Sequence, residues 1–178
     1  WVKDAKTELE AAAVLLRRSE ASYRLAEARL AAETGLVAAH LQPTSDIHLS
    51  LQLEGRSIDL DKEIFLLQRR AQPLRESLDQ AMARGDHAGA QRMLEELVAL
   101  THRLWSLGVV DDTANFHTNY GYVGKQLILF DIGELIDDPV RLQAERAAPK
   151  LLRKKGMAWL MRKYPPLAEH LRRAFMLN

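Results

Sequence analysis

The stretch NYGYVGKQLILFDIGELIDD, Asn119 to Asp138, decides how the rest of the chain is read. Tyr120–Val123 and Gln126–Phe130 form two short arms joined at Gly124-Lys125, and Gly124 can supply the positive φ of a tight turn. The second arm, Leu127-Ile128-Leu129-Phe130, is apolar on both faces, which predicts a buried strand. That strand delivers Asp131-Ile132-Gly133 at its end, with a carboxylate beside a backbone free to bend. Asn119 enters the same hairpin twelve residues earlier. A hairpin returns the chain toward its start, so one carboxamide and one carboxylate are expected at a common end. Two such oxygen ligands suit a divalent cation. The same residue types also suit an ordinary hairpin with Asn119 and Asp131 as turn residues.

An Asn, a short hairpin, then apolar-apolar-x-Asp-x-Gly resembles the metal-binding half of protein-kinase-like folds. Asn119 takes the place of the Asn that closes the catalytic loop. Asp131 takes the place of the magnesium-binding Asp, with Ile132 where Phe is usual. The wider context LQRRAQPLRESLDQAM, LVALTHRLWSLGVVDD and NYGYVGKQLILFDIGEL is similar to a family of uncharacterised bacterial kinase-like proteins, over roughly Tyr23 to Leu171. The resemblance implies magnesium and ATP as cofactors, held by Asn119 and Asp131. It also implies a catalytic base in Gly108–Thr118, where Asp111 and Asp112 are the candidates. The usual motif places that Asp five residues before the Asn. Here the two stand eight and seven residues before it, and no His-Arg precedes them. Asp111 and Asp112 equally suit a turn cap. His117 is a candidate phosphate contact, and Glu134 and Asp137 lie close enough in sequence to add an acidic ligand.

Composition sets the class. A chain of 178 residues, 47% hydrophobic and 28% charged, is long enough for one domain with a core and is neither disordered nor fibrous. It has no cysteine, which excludes a disulfide framework and thiol chemistry. No apolar run reaches the ~18 residues of a membrane span. These features favour the cytoplasm over secretion. Trp1 is not an initiator Met, so the chain is expected to be a piece of a longer or processed protein.

Outward from the hairpin, residues 2–41 carry apolar residues at helical spacing (Leu9, Leu16, Tyr23, Ala26, Leu30, Val37, Leu41), predicting one helix or two, weakest at Gly35. That stripe is expected to pack on the helix around Leu94–Trp105 or on a second copy. The core of the domain spans about 44–138. Ile47 to Leu53 alternates as a half-buried strand and turns at Glu54-Gly55 into a return arm, Ser57–Leu60. His48 on it reads as a solvated residue rather than a ligand. A helix capped by Asp59 or Asp61 is predicted to run to Gly85, broken at Pro73. A second runs from His87 to Leu107, capped by Asp86 and apolar almost all round.

Residues 139–178 form a helical tail. Asp138 and Pro139 start one helix, Lys150–Tyr164 forms the next, and Leu167–Met176 follows the break at Pro165-Pro166. From Lys150 onward eight basic residues stand against Glu169 alone, a surplus of seven, while the chain totals +1 and the remainder is therefore −6. This asymmetry suits a protein partner or an anionic surface, or else a solvated face. No aromatic ladder or zinc motif supports nucleic-acid binding.

The fold expectation is one mainly α domain with two short β-hairpins, resembling the C-terminal lobe of a protein-kinase-like fold. Neither a glycine-rich loop nor a strand lysine of the V-A-I-K type is present in the chain. Two function classes follow. One is a kinase-like domain binding magnesium and a nucleotide. The other is a non-catalytic, pseudokinase-like helical module binding a protein or an anionic partner.

Overall fold

The computed structural model describes the backbone of residues 2–176 and the side chains of residues 7, 8 and 10–176. The domain is mainly helical with small antiparallel sheets, as the sequence predicts. The elements in order are α1 (Val2–Arg29), α2 (Ala31–Thr34), β1 (Leu36–His40), β2 (Ser50–Leu53), β3 (Arg56–Asp59), β4 (Phe65–Gln68) and β5 (Gln72–Pro73). Then come α3 (Leu74–Ala83), α4 (His87–Ser106), β6 (Val110–Asp111), α5 (Phe116–Asn119), β7 (Tyr120–Val123), β8 (Gln126–Leu129) and β9 (Leu135–Ile136). The tail holds α6 (Pro139–Ala147), a 3-10 turn (Lys150–Arg153), α7 (Lys155–Lys163) and α8 (Pro165–Met176).

Helix α4 organises the core. Asp86 caps it by accepting from the Gly89 N–H at 2.8 Å. Leu94, Leu97 and Leu104 are fully buried, and α3 and α8 pack on either side, bringing Leu74, Leu78, Leu167 and Leu171 to the same core. The apolar character is one broad stripe rather than all round, because Arg92, Glu95 and Glu96 face solvent.

The predicted central hairpin forms as β7 and β8, with Tyr120 opposite Leu129 and Val123 opposite Gln126. Gly124 turns it at φ +60°. Strand β5 adds to its outer edge through Gln72–Tyr122 and Pro73–Gly121 pairs. A Cβ on Gly121 would stand 2.4 Å from the Gln72 carbonyl oxygen, so this close pairing requires glycine. The second hairpin, β2–β3, also forms, but its strand begins at Ser50 rather than Ile47. Its residues point to solvent instead of being half buried.

Several boundaries depart from the sequence expectation, for local reasons. The predicted second N-terminal helix stops at Thr34, and Leu36–His40 is a strand paired with Phe65–Gln68. Residues 59–72 hold that strand rather than a helix. Asp61 caps no helix and instead gathers the loop before β2, accepting from the Thr44 hydroxyl, the Ile47 N–H and the His48 N–H, each at 3.0 Å. The Ile47 bond is foremost among the interactions that hold its carboxyl below the ordinary range. Gly108–Thr118 is not simply a loop, since Val110–Asp111 pairs with Leu135–Ile136 and Phe116–Asn119 forms a helical turn. The predicted helix from Lys150 to Tyr164 is interrupted at Lys154, and the two prolines open α8 rather than preceding it.

Helix α1 does not pack chiefly on α4. Its second half packs on β9 and β1, burying Ser22 and Ala26, and Leu30 is buried just past its end. Val14, Leu15 and Leu16 in its first half are exposed, and the Leu9 side chain lies outside the described residues.

Candidate functional site

The open end of the β7–β8 hairpin joins Asn119 to Asp131 through the backbone. The Asn119 carbonyl accepts from the Phe130 N–H at 2.8 Å and from the Asp131 N–H at 3.3 Å. The two sequence-predicted metal ligands are therefore brought to one place by main-chain pairing. Their side chains stand in different conditions. Asn119 is 4% exposed, its Nδ2 donates to Thr113 Oγ1 and its Oδ1 accepts from the Thr118 hydroxyl, both at 2.7 Å. An amide oxygen has two lone pairs, so one remains. Asp131 is exposed and makes no side-chain hydrogen bond among the described residues.

Helix α1 reaches the same point. Ser22 Oγ donates to the Ile132 carbonyl and accepts from the Leu135 N–H at 2.7 Å, which fixes the segment after Asp131 against the helix. Around Gly133, the position a Cβ would occupy lies 3.8 Å from Ser19 Oγ and 3.9 Å from both Tyr23 Oη and Asp131 Oδ1. Two hydroxyls from α1 thus border the space beside the Asp131 carboxylate. No sequence motif marks Ser19, Tyr23 or Thr113. Only the packing of α1 on β9 and the turn from Asp111 to Asn119 bring them there.

Asp111 and Asp112 lie on the strand and turn that precede this end, and both carboxylates are engaged. Asp111 is 7% exposed. Its Oδ1 accepts from the Thr113 hydroxyl at 2.6 Å and the Thr113 N–H at 3.0 Å, and its Oδ2 accepts from the Tyr120 hydroxyl at 3.2 Å. Burial pushes the Asp111 carboxyl above the ordinary range despite those donors, and burial likewise pushes the Tyr120 hydroxyl well up. Asp111, Thr113, Asn119 and Thr118 form one hydrogen-bonded chain that sets the rotamer of the Asn119 carboxamide.

Asp112 turns the other way. It pairs with Lys150 at 2.7 Å, Arg141 at 2.9 Å and Arg18 at 3.7 Å. Partial burial pushes its carboxyl up, but the Lys150 bond and the three positive charges outweigh that and hold it below the ordinary range. Asp112 thereby ties α1, α6 and the 3-10 turn together.

The position five residues before Asn119, where the kinase motif carries its base, is Ala114, buried with φ +51°. His117 stacks on Trp159 with ring centroids 6.0 Å apart. Burial, together with the charges of Arg75 and Lys155, lowers its pKa. Among the described residues no three His, Asp or Glu side chains are grouped to hold a metal, so Glu134 and Asp137 are not part of such a group. Asp137 instead pairs with Arg29 of α1. The oxygen-bearing side chains at this end are the exposed Asp131 carboxylate and the buried, hydrogen-bonded Asn119 amide, residue types that suit magnesium when water and phosphate oxygens complete the shell. Among the described residues no helix is long and apolar enough to cross a membrane. Compared with family models, curated proteins and solved structures, the chain matches none.

Proposed function

We propose that this is a degenerate protein-kinase-like domain that binds magnesium with a nucleoside triphosphate and does not carry out efficient phosphoryl transfer. The observation that carries the proposal is the backbone pairing of Asn119 with Phe130 and Asp131, which puts the two residues side by side at one hairpin end. Helix α1, through Ser22, and the antiparallel β6–β9 pair border that end. When bound, magnesium would bridge the protein oxygens to phosphate oxygens and neutralise their charge. Asp131 would supply the anionic ligand, and Thr113 and Thr118 would keep Asn119 oriented.

The loss of transfer follows from the base. Ala114 occupies the motif's base position, and the nearby carboxylates are committed, Asp111 to Thr113 and Tyr120, Asp112 to three cations. A nucleophile's hydroxyl would find no free carboxylate among them, and general-base assistance is worth about 10²–10⁴ in rate. The test is thermal denaturation with ATP and magnesium. A rise in Tm that Asp131→Asn removes, without loss of fold, supports the proposal. No rise in the unsubstituted chain overturns it.

A second reading has its own observation. Lys155, Arg162 and Arg173 are exposed on the tail and make no ion pair among the described residues, whereas Lys150 and Lys163 are used internally by Asp112 and Asp79. This surplus supports an anionic partner for the tail. Binding to heparin that weakens steeply with salt, and that is lost in a Lys154, Lys155, Arg162 and Arg173 to Gln variant, would establish it.

A further inference from the structure

A cleft of about 430 Å³ lies on another side of the hairpin, between α3, the first turns of α4 and the β7–β8 turn. Three elements each contribute a cation to it: Arg84 at the end of α3, Arg92 on α4 and Lys125 in the turn. All three are exposed, and none makes an ion pair among the described residues. The cleft also contains two carboxylates, each of which accepts one internal hydrogen bond and keeps its charge. Asp86 caps α4 through the Gly89 N–H, and Glu96 accepts the Tyr122 hydroxyl. Two further amide side chains, Gln72 and Gln80, line it and can donate or accept. Three cations stand against these two carboxylates, so the formal charge of the lining is +1.

We propose that this cleft binds the phosphate group of a small phosphate monoester. The size lies within the 300–1,000 Å³ typical of small-ligand clefts. Two guanidinium groups from different helices can each donate two parallel hydrogen bonds to one dianion, a geometry that a single carboxylate fills less completely. The α4 N-terminus is not the binding element, because Asp86 already occupies it. The site is independent of Asp131.

The experiment is a titration of the chain with phenyl phosphate, followed by amide NMR, against sodium chloride at equal ionic strength and against a Glu-rich hexapeptide. Saturable shifts at Arg84, Arg92, Gly124 and Lys125 are expected with phenyl phosphate alone. Arg84→Gln with Arg92→Gln should weaken binding by about tenfold or more, given the strength of charge-assisted hydrogen bonds. Both side chains are exposed, so circular dichroism should show the fold intact. Asp131→Asn should leave the binding unchanged, which separates this site from the nucleotide proposal. The inference is overturned by shifts that follow ionic strength without saturating, by shifts that the double variant leaves in place, or by tighter binding of the hexapeptide at these residues.

Discussion

The helices from Leu74 onward and the strands before Arg69 treat apolar residues in opposite ways. Leu94, Leu97, Leu104 and Leu171 are fully buried where α4 meets α8. Leu49, Leu51 and Leu53 on and beside β2 are 61%, 50% and 53% exposed, and Val37 and Leu67 on the β1–β4 pair are also exposed. The helical half carries most of one core cluster, which Ala26, Leu30 and Leu36 join from the other side. The strand half consists of two separate two-stranded sheets, an arrangement that is marginal without something to pack on. Stability should therefore be concentrated in the helices, and the strand half should contribute through the few residues that reach them.

Matched substitutions test this contrast. Leu94→Ala should cost about 2–5 kcal/mol and lower Tm by more than about 5 °C in calorimetry, because it opens a cavity under α8. Ser22→Ala should cost about 1–3 kcal/mol, since it strands the buried Leu135 N–H, and urea denaturation would measure it. A loss as large as that of Leu94→Ala would mean that α1 belongs to the core as fully as α4 does.

Asp112→Asn comes next, at about 1–2 kcal/mol, discounted because Arg18 and Arg141 are half exposed. Its sign with pH is fixed. Asp112 titrates below its ordinary value of 3.8, so its contribution is full above that value and is lost as pH falls through the lower folded value. The stability gap between the variant and the unsubstituted chain should accordingly be constant from pH 7 to 5 and shrink below about pH 4. The smallest effect is expected for Leu51→Ala, within about 0.5 kcal/mol by the same calorimetry, because that side chain already meets solvent.

The same contrast explains what the sequence made legible. The hairpin at Tyr120–Leu129, the Asp86 cap and the Asp138-Pro139 start were readable because turn and cap chemistry is local. Leu36–His40 and Phe65–Gln68 were not. Each is a short apolar run that fits helix or strand, and the choice was made by pairing with a segment some thirty residues away. At the candidate site, the spacing from Asn119 to Asp131 carried the backbone juxtaposition in advance. The orientation of Asp111 inward and Asp112 outward was invisible, because it depends on Tyr120, Lys150 and Arg141 arriving from other elements.

The most direct measurement is paramagnetic broadening of amide resonances by manganese with ATP, with manganese standing in for magnesium. Binding at the hairpin end predicts that the amides of Asn119, Phe130, Asp131 and Gly133 broaden first, and that Asp131→Asn abolishes the effect while the spectrum stays folded. Broadening that is absent, or that persists unchanged in Asp131→Asn, would contradict a metal-nucleotide site at Asn119 and Asp131.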